Sequence, residues 1–169
     1  MVSEEKRTRA RSDAMRKLRK KIKRPRTPWD VIQIREEKKT LNEYGLRRKK
    51  EIRVAQEILR KFRHRARKLI AVKNAEEQKT LLDKMVKLGL LTKKEPALDD
   101  ILELTVENVL DRRLQTMVFR KGMAKTVKEA RQMITHGHIM IDDRKIRFPS
   151  YIVSVSEEKK IHALHGKGG

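Results

Sequence analysis

The chain has 169 residues, of which 40% are charged and only 4% aromatic, enough for one medium domain or two small ones with modest cores. There are 45 Lys+Arg against 23 Asp+Glu, a formal net charge of +22, and a protein this basic is relieved of self-repulsion by a polyanion, nucleic acid first of all. There is no cysteine, which excludes disulfides and thiolate zinc sites, and no apolar run of about 18 residues to span a bilayer. The N-terminus lacks the apolar core of a signal peptide. The expectation is a cytoplasmic protein that binds nucleic acid and does not span a membrane.

In chain order, residues 1–24 hold eleven Lys/Arg and three acids. They read as a solvated basic arm. Met15, Leu18 and Ile22 sit at helical spacing, so part of the arm can become helical on a partner. Pro25 and Pro28 interrupt regular structure, and Trp29, the single Trp, is expected to anchor the arm on a core or a neighbour. Residues 31–43 predict a charged helix ended near Gly45.

From Leu46 to Val72 the pattern is a long helix with Ala55, Ile58, Leu59, Phe62, Ala66, Leu69 and Ile70 as its apolar stripe. Its other faces carry Arg47, Arg48, Lys49, Lys50, Arg53, Arg60, Lys61, Arg63, Arg65, Arg67 and Lys68. A solvated helix alternates signs to gain i,i+4 pairs, whereas this one concentrates a single sign; the reading is a phosphate-facing helix. Residues 75–88 predict a further helix with Leu81, Leu82, Met85 and Val86 inward. Residues 95–111, with six acids and no Lys or Arg, predict an inward-facing or protein-facing connection.

Thr126 and Glu129 have the spacing of a capping box. They open a helix with Val127, Ala130, Met133 and Ile134 inward and Gly137 as its stop. Ile139, Ile141, Ile146, Ile152 and Val153 suggest short strands, with a tight turn at Asp142-Asp143. Residues 157–169 read as a mobile tail. Arg113, Lys125, Lys128, Arg131 and Gln132 would gather at the start and one side of the capped helix, whose N-terminal amides add attraction for phosphate.

Metal and catalytic readings are weak. His136-x-His138 has no cysteine to complete a zinc set. There is no G-x-x-x-x-G-K loop and no G-x-S-x-G elbow. Asp99 and Asp100 are adjacent on helical sequence and point apart. No cofactor is implied and an enzyme is not expected.

Leu110 to Val155 resembles the S-four RNA-binding module. The likeness rests on Arg112-Arg113-Leu114, Lys121-Gly122, Ala130-Arg131-Gln132, His136-Gly137-His138-Ile139 and Pro149-Ser150-Tyr151. The last two runs, with Phe62 to Leu69 and Pro28-Trp29, resemble the archaeal and eukaryotic branch of the S-four family of small-subunit ribosomal proteins, the archaeal favoured. The family usually has Asn-Gly where this chain has Asp142-Asp143. The resemblance implies an α+β fold: a basic extension (1–28), a helical rRNA-binding region (29–108), the S-four module (109–156) and a flexible tail (157–169). It implies primary binding to small-subunit rRNA at a multi-helix junction, nucleating assembly of the body. It also implies a place beside ribosomal protein S-five and the channel through which mRNA enters, with an influence on decoding accuracy. The RNA-contacting set is then Arg47, Lys49, Lys50, Arg60, Arg63, Arg65, Arg67, Lys68, Arg112, Arg113, Gln115, Lys125, Thr126, Lys128, Arg131, Gln132, His136, Lys145 and Tyr151. The alternative is a free RNA chaperone or stalled-ribosome factor built on the same module.

Overall fold

The computed structural model describes residues 22, 25–72, 74–93 and 96–164. Apart from Ile22, the basic arm of residues 1–24 lies outside the described residues, as do residues 165–169. The fold is α+β. Eight helices are found among the described residues: α1 (Val31–Glu43), α2 (Lys49–Val72), α3 (Ala75–Lys87), α4 (Leu98–Glu103), α5 (Val106–Asp111), α6 (Leu114–Arg120), α7 (Val127–His136) and α8 (Val155–Glu158). A small antiparallel sheet is ordered β2-β1-β3, with β1 at Ile139–Ile141, β2 at Arg144–Lys145 and β3 at Ile161–Ala163. None of the described helices is long and apolar enough to cross a membrane.

Two apolar cores divide the chain. The first is built on α2, where Ile52, Ala55, Leu59, Ala66 and Leu69 are buried at spacings of three, four and seven that keep them on one face. Leu81 and Met85 of α3, Ile101 of α4 and Val109 and Leu110 of α5 close over that stripe. Ile58 and Phe62 are half-buried at its edge, and Ile70 and Val86, both expected inward, are 40% exposed. The acidic stretch from Leu98 to Asp111 is a packing element, as its charge suggested, with Ile101 and Leu110 fully buried. Trp29 is 85% exposed and anchors nothing in either core.

The second core joins Leu114 and Val118 of α6, Ala130 and Ile134 of α7, Ile139 and Ile141 of β1, Val153 and Ile161. Helix α7 ends at Gly137 in the left-handed conformation (φ 76°). A Cβ there would lie 2.5 Å from Cε of Lys145, which can move aside, so it is the left-handed backbone that favours glycine. The Asp142-Asp143 turn closes the β1–β2 hairpin with Asp142 at φ 55° and with Lys160 paired to its carboxylate at 2.7 Å. Asp can take this conformation without Asn-Gly.

Two expectations are corrected. Ile152 forms an isolated bridge with Arg113, and Val153 N donates to Arg112 O at 2.9 Å, so this segment braces the start of α6 and leaves the sheet. The third strand comes from the segment read as a tail: Ser154 caps α8, and Ile161–Ala163 then pairs with β1. The module thus continues to Leu164, whose N–H donates to His138 O at 2.7 Å.

Candidate nucleic-acid interface

The interface is built where the two cores meet. Gly45, at φ 54° in the turn between α1 and α2, lies against the first turn of α7; a Cβ on it would be 3.0 Å from Val127 Cγ1. Gln115, 1% exposed, spans the junction. Its Nε2 donates to the carbonyls of Val127 (3.0 Å), Gly45 (3.2 Å) and Tyr44 (3.4 Å). Beside it Glu51, near the start of α2, receives Arg113 Nη2 at 2.5 Å and Arg131 Nη1 at 3.4 Å. Its other oxygen accepts from the Arg47 backbone N–H at 3.1 Å. Burial alone would raise the Glu51 carboxyl, but the hydrogen bonds and charges of Arg113 and Arg131 outweigh it and hold the group below the usual carboxylate range.

This junction brings two basic groups together that lie far apart in sequence. Arg47, Arg48 and Lys50 flank it on the α2 side and Lys125 and Lys128 on the α7 side. The side chains of Lys128, Arg47, Arg48, Lys50 and Lys125 form no ion pair among the described residues, and all five residues are exposed. Gln132 and His136 continue the exposed face of α7, and Lys145 reaches its C-terminal end. Thr126 caps α7, accepting from Glu129 N at 3.1 Å. Glu129 reaches back to the N–H of Lys125 (2.7 Å), one residue before the expected Thr126. An acid therefore already occupies this helix start, and attraction for phosphate rests on the lysine side chains more than on open amides.

A second basic surface runs along α2. Gln56, Arg60, Lys61, Arg63, His64 and Arg67 line a groove of about 700 Å³. Arg65, Arg67 and Lys68 are exposed with no ion pair among the described residues. Lys61, named on the basic helix but absent from the expected contact set, belongs to this surface, as does His64, which was not expected there; its position beside Arg60 and Arg67 on adjoining helical turns was the available signal.

Several members of the expected contact set are instead committed within the protein. Gln115 is buried, and Arg113, 6% exposed, is held by Glu51. Arg131 also turns to Glu51 and to Gln115 Oε1 (3.5 Å). Arg112 donates to Glu158 (2.8 Å) and to Val153 O (2.9 Å). The Tyr151 hydroxyl donates to Glu157 at 2.7 Å. Lys49 pairs with Glu37 at 3.2 Å, Arg60 with Glu57 at 2.6 Å, and Arg63 donates to Leu104 O at the α4–α5 junction. Arg112, Arg113 and Arg131, buried or bonded twice, hold elements together and present little charge outward, whereas Lys49 and Arg60 pair at the surface and stay about half exposed. Among the described residues no group of His, Asp and Glu is arranged to hold a metal ion; His136 and His138 lie with ring centroids 6.2 Å apart.

The S4 domain family profile matches residues 112–159, the part built on the second core. The chain is 48% identical over 149 residues to the small ribosomal subunit protein uS4 of Saccharolobus solfataricus, covering 86% of this chain and 82% of the relative. It is 49% identical to the uS4 of Sulfolobus acidocaldarius, covering 86% and 85%, and 46% identical to that of Sulfurisphaera tokodaii, covering 86% and 84%. These relatives are named as constituents of the ribosome and not as enzymes. With such identity across both cores and the junction between them, the chain belongs to the small ribosomal subunit protein uS4 family, in its archaeal form.

Proposed function

We propose that this protein is a structural constituent of the small ribosomal subunit in the cytoplasm and binds small-subunit rRNA directly. The observation that carries this reading is the composite basic face at the junction of the cores. There Arg47, Arg48 and Lys50 meet Lys125 and Lys128, with acids turned inward. Folded RNA is recognised by shape and backbone charge, and a rigid face with cations from two elements suits phosphates of more than one RNA helix. Binding at a multi-helix junction would make the protein an early, nucleating component of the body. A place beside ribosomal protein S-five and the channel through which mRNA enters, with an effect on decoding accuracy, completes the proposal.

The test is binding of the full chain to small-subunit rRNA, read by filter retention over a salt series, together with sedimentation of the endogenous protein. We expect cosedimentation with small subunits and a log–log salt slope of several units, at about 0.7–0.9 per phosphate neutralised. A flat salt response refutes the electrostatic account. Sedimentation with stalled large subunits, or with neither subunit, would instead favour the chaperone or stalled-ribosome reading.

A further inference from the structure

We infer that Glu51, an acid set in the middle of the basic face, is a positioning residue for RNA binding: it latches the S4 module to the α2 helix so that cations of both parts engage one RNA at once. The inference rests on the rRNA-binding reading above and adds to it a residue whose charge sign argues against any direct contact with phosphate.

The geometry carries it. Glu51 stands in the first turn of α2, with its side chain 19% exposed. One oxygen takes Arg113, the residue that opens α6, at 2.5 Å. Arg131, one turn into α7, reaches both oxygens at 3.4 Å. The Arg47 amide closes the α2 side at 3.1 Å. Three elements from two cores thus converge on one carboxylate. The neighbouring bonds from Gln115 to the Gly45 and Val127 carbonyls fix the distance between the same elements but lie in the buried seam. Glu51 borders the exposed cations directly: the Arg47 amide donates to it, its own amide donates to Arg48 O at 3.0 Å, and Lys50 precedes it in sequence. Two guanidinium groups neutralise it, so it subtracts little from the outward field while it fixes direction.

Plain electrostatics and the positioning account predict opposite signs for Glu51→Gln. Removing a negative charge from a basic face should tighten RNA binding and leave the salt slope unchanged or steeper. Removing a latch should let the two cation groups drift out of register, so that fewer phosphates are engaged together.

The full chain and its Glu51→Gln and Glu51→Asp variants are titrated with small-subunit rRNA across a salt series, at a temperature well below each variant's melting point. The expected result for Glu51→Gln is binding weaker by about tenfold at 0.15 M salt. Its slope should be shallower by about one unit, the loss of roughly one phosphate contact. Partial unfolding alone would lower the apparent affinity and leave the slope intact, so the slope separates positioning from stability. Glu51→Asp keeps the charge but not the reach, and should fold and fall between wild type and Glu51→Gln in both readouts. Should Glu51→Gln not fold, the aspartate variant decides alone: a shallower slope supports the latch, and binding equal to wild type overturns it. Tighter or unchanged binding by Glu51→Gln at an unchanged slope also overturns it, with the rRNA reading left standing. Absence of salt-dependent rRNA binding by the wild-type chain overturns both.

Discussion

Replacing Gln115 by alanine should destabilise the protein by about 3 kcal/mol, through two effects the structure separates. The first is hydrogen bonding. The carbonyls of Tyr44 and Gly45 sit in the turn between α1 and α2, and no backbone donor among the described residues reaches them. Their described donor is Gln115 Nε2, which also bonds Val127 O. Two hydrogens serve three acceptors, so the loss is nearer two bonds than three, and a buried carbonyl left without a donor costs ~1–3 kcal/mol. The second effect is volume: a fully buried side chain cut back to Cβ leaves a cavity at the meeting of the two cores. For a chain of 169 residues, a loss of about 3 kcal/mol lowers the melting temperature by roughly 6–12 °C. Circular dichroism during thermal and urea unfolding reads both quantities. Gln115→Met refills the space without the donors and should remain about 1–2 kcal/mol below wild type. A methionine variant within 0.5 kcal/mol of wild type would show that the junction is held by packing alone and would refute the hydrogen-bond argument.

Changing Arg65 and Arg67 together to alanine should weaken rRNA binding several-fold with melting nearly unchanged, since both are exposed and unpaired among the described residues. Arg63→Ala should instead lower stability by about 1–3 kcal/mol, because it strips Leu104 O of its donor; equal melting of the two variants would contradict this division. In alkali, Tyr44 reports on the same junction. Burial, then its hydrogen bond to Asp111, pushes its hydroxyl above the ordinary value of 10.0. The folded state therefore favours the protonated phenol. That stability is fully present below pH 10 and is lost as pH rises through the folded value. Wild type should lose stability above pH 10 faster than Tyr44→Phe, and parallel alkaline limbs in urea unfolding would rule this out.

The sequence was most readable where local chemistry decides structure. The helix expected at residues 31–43 is α1, and Thr126 and Gly137 bound α7 because a hydroxyl cap and a left-handed glycine act within a few residues. Strand β3 was missed because Ile161-His162-Ala163 offers only two alternating apolar positions amid Lys, His and Gly. Its existence depends on β1, some twenty residues earlier, presenting an open edge. Ile152 and Val153 have strand-forming side chains but are claimed by Arg113 and Arg112, a tertiary demand that propensity cannot express. The candidate interface divides the same way. Lys125, Lys128, Arg65 and Lys68 could be placed on exposed faces from periodicity alone. The inward turn of Arg112, Arg113 and Arg131 could not, since their acids lie 46, 62 and 80 residues away.

The placement of those acids explains how a chain with a net charge of +22 folds at all while keeping its cations outward. Among the described residues, several acids are committed to cations or to helix starts. Glu37 takes Lys49, Glu51 takes two arginines, Asp111 takes Arg120 and the Tyr44 hydroxyl, and Glu158 takes Arg112. Glu129 and Glu157 are spent on helix starts. Each such acid neutralises a cation that would otherwise repel its neighbours inside a seam, or satisfies an amide that a helix leaves open. The cations left over are those of exposed surfaces, and their mutual repulsion is not relieved within the chain. That residual strain is modest in salt, where charges more than about 8–10 Å apart are screened. It is released in full when a polyanion docks, so the same arrangement that limits the stability of the free protein favours its complex with RNA.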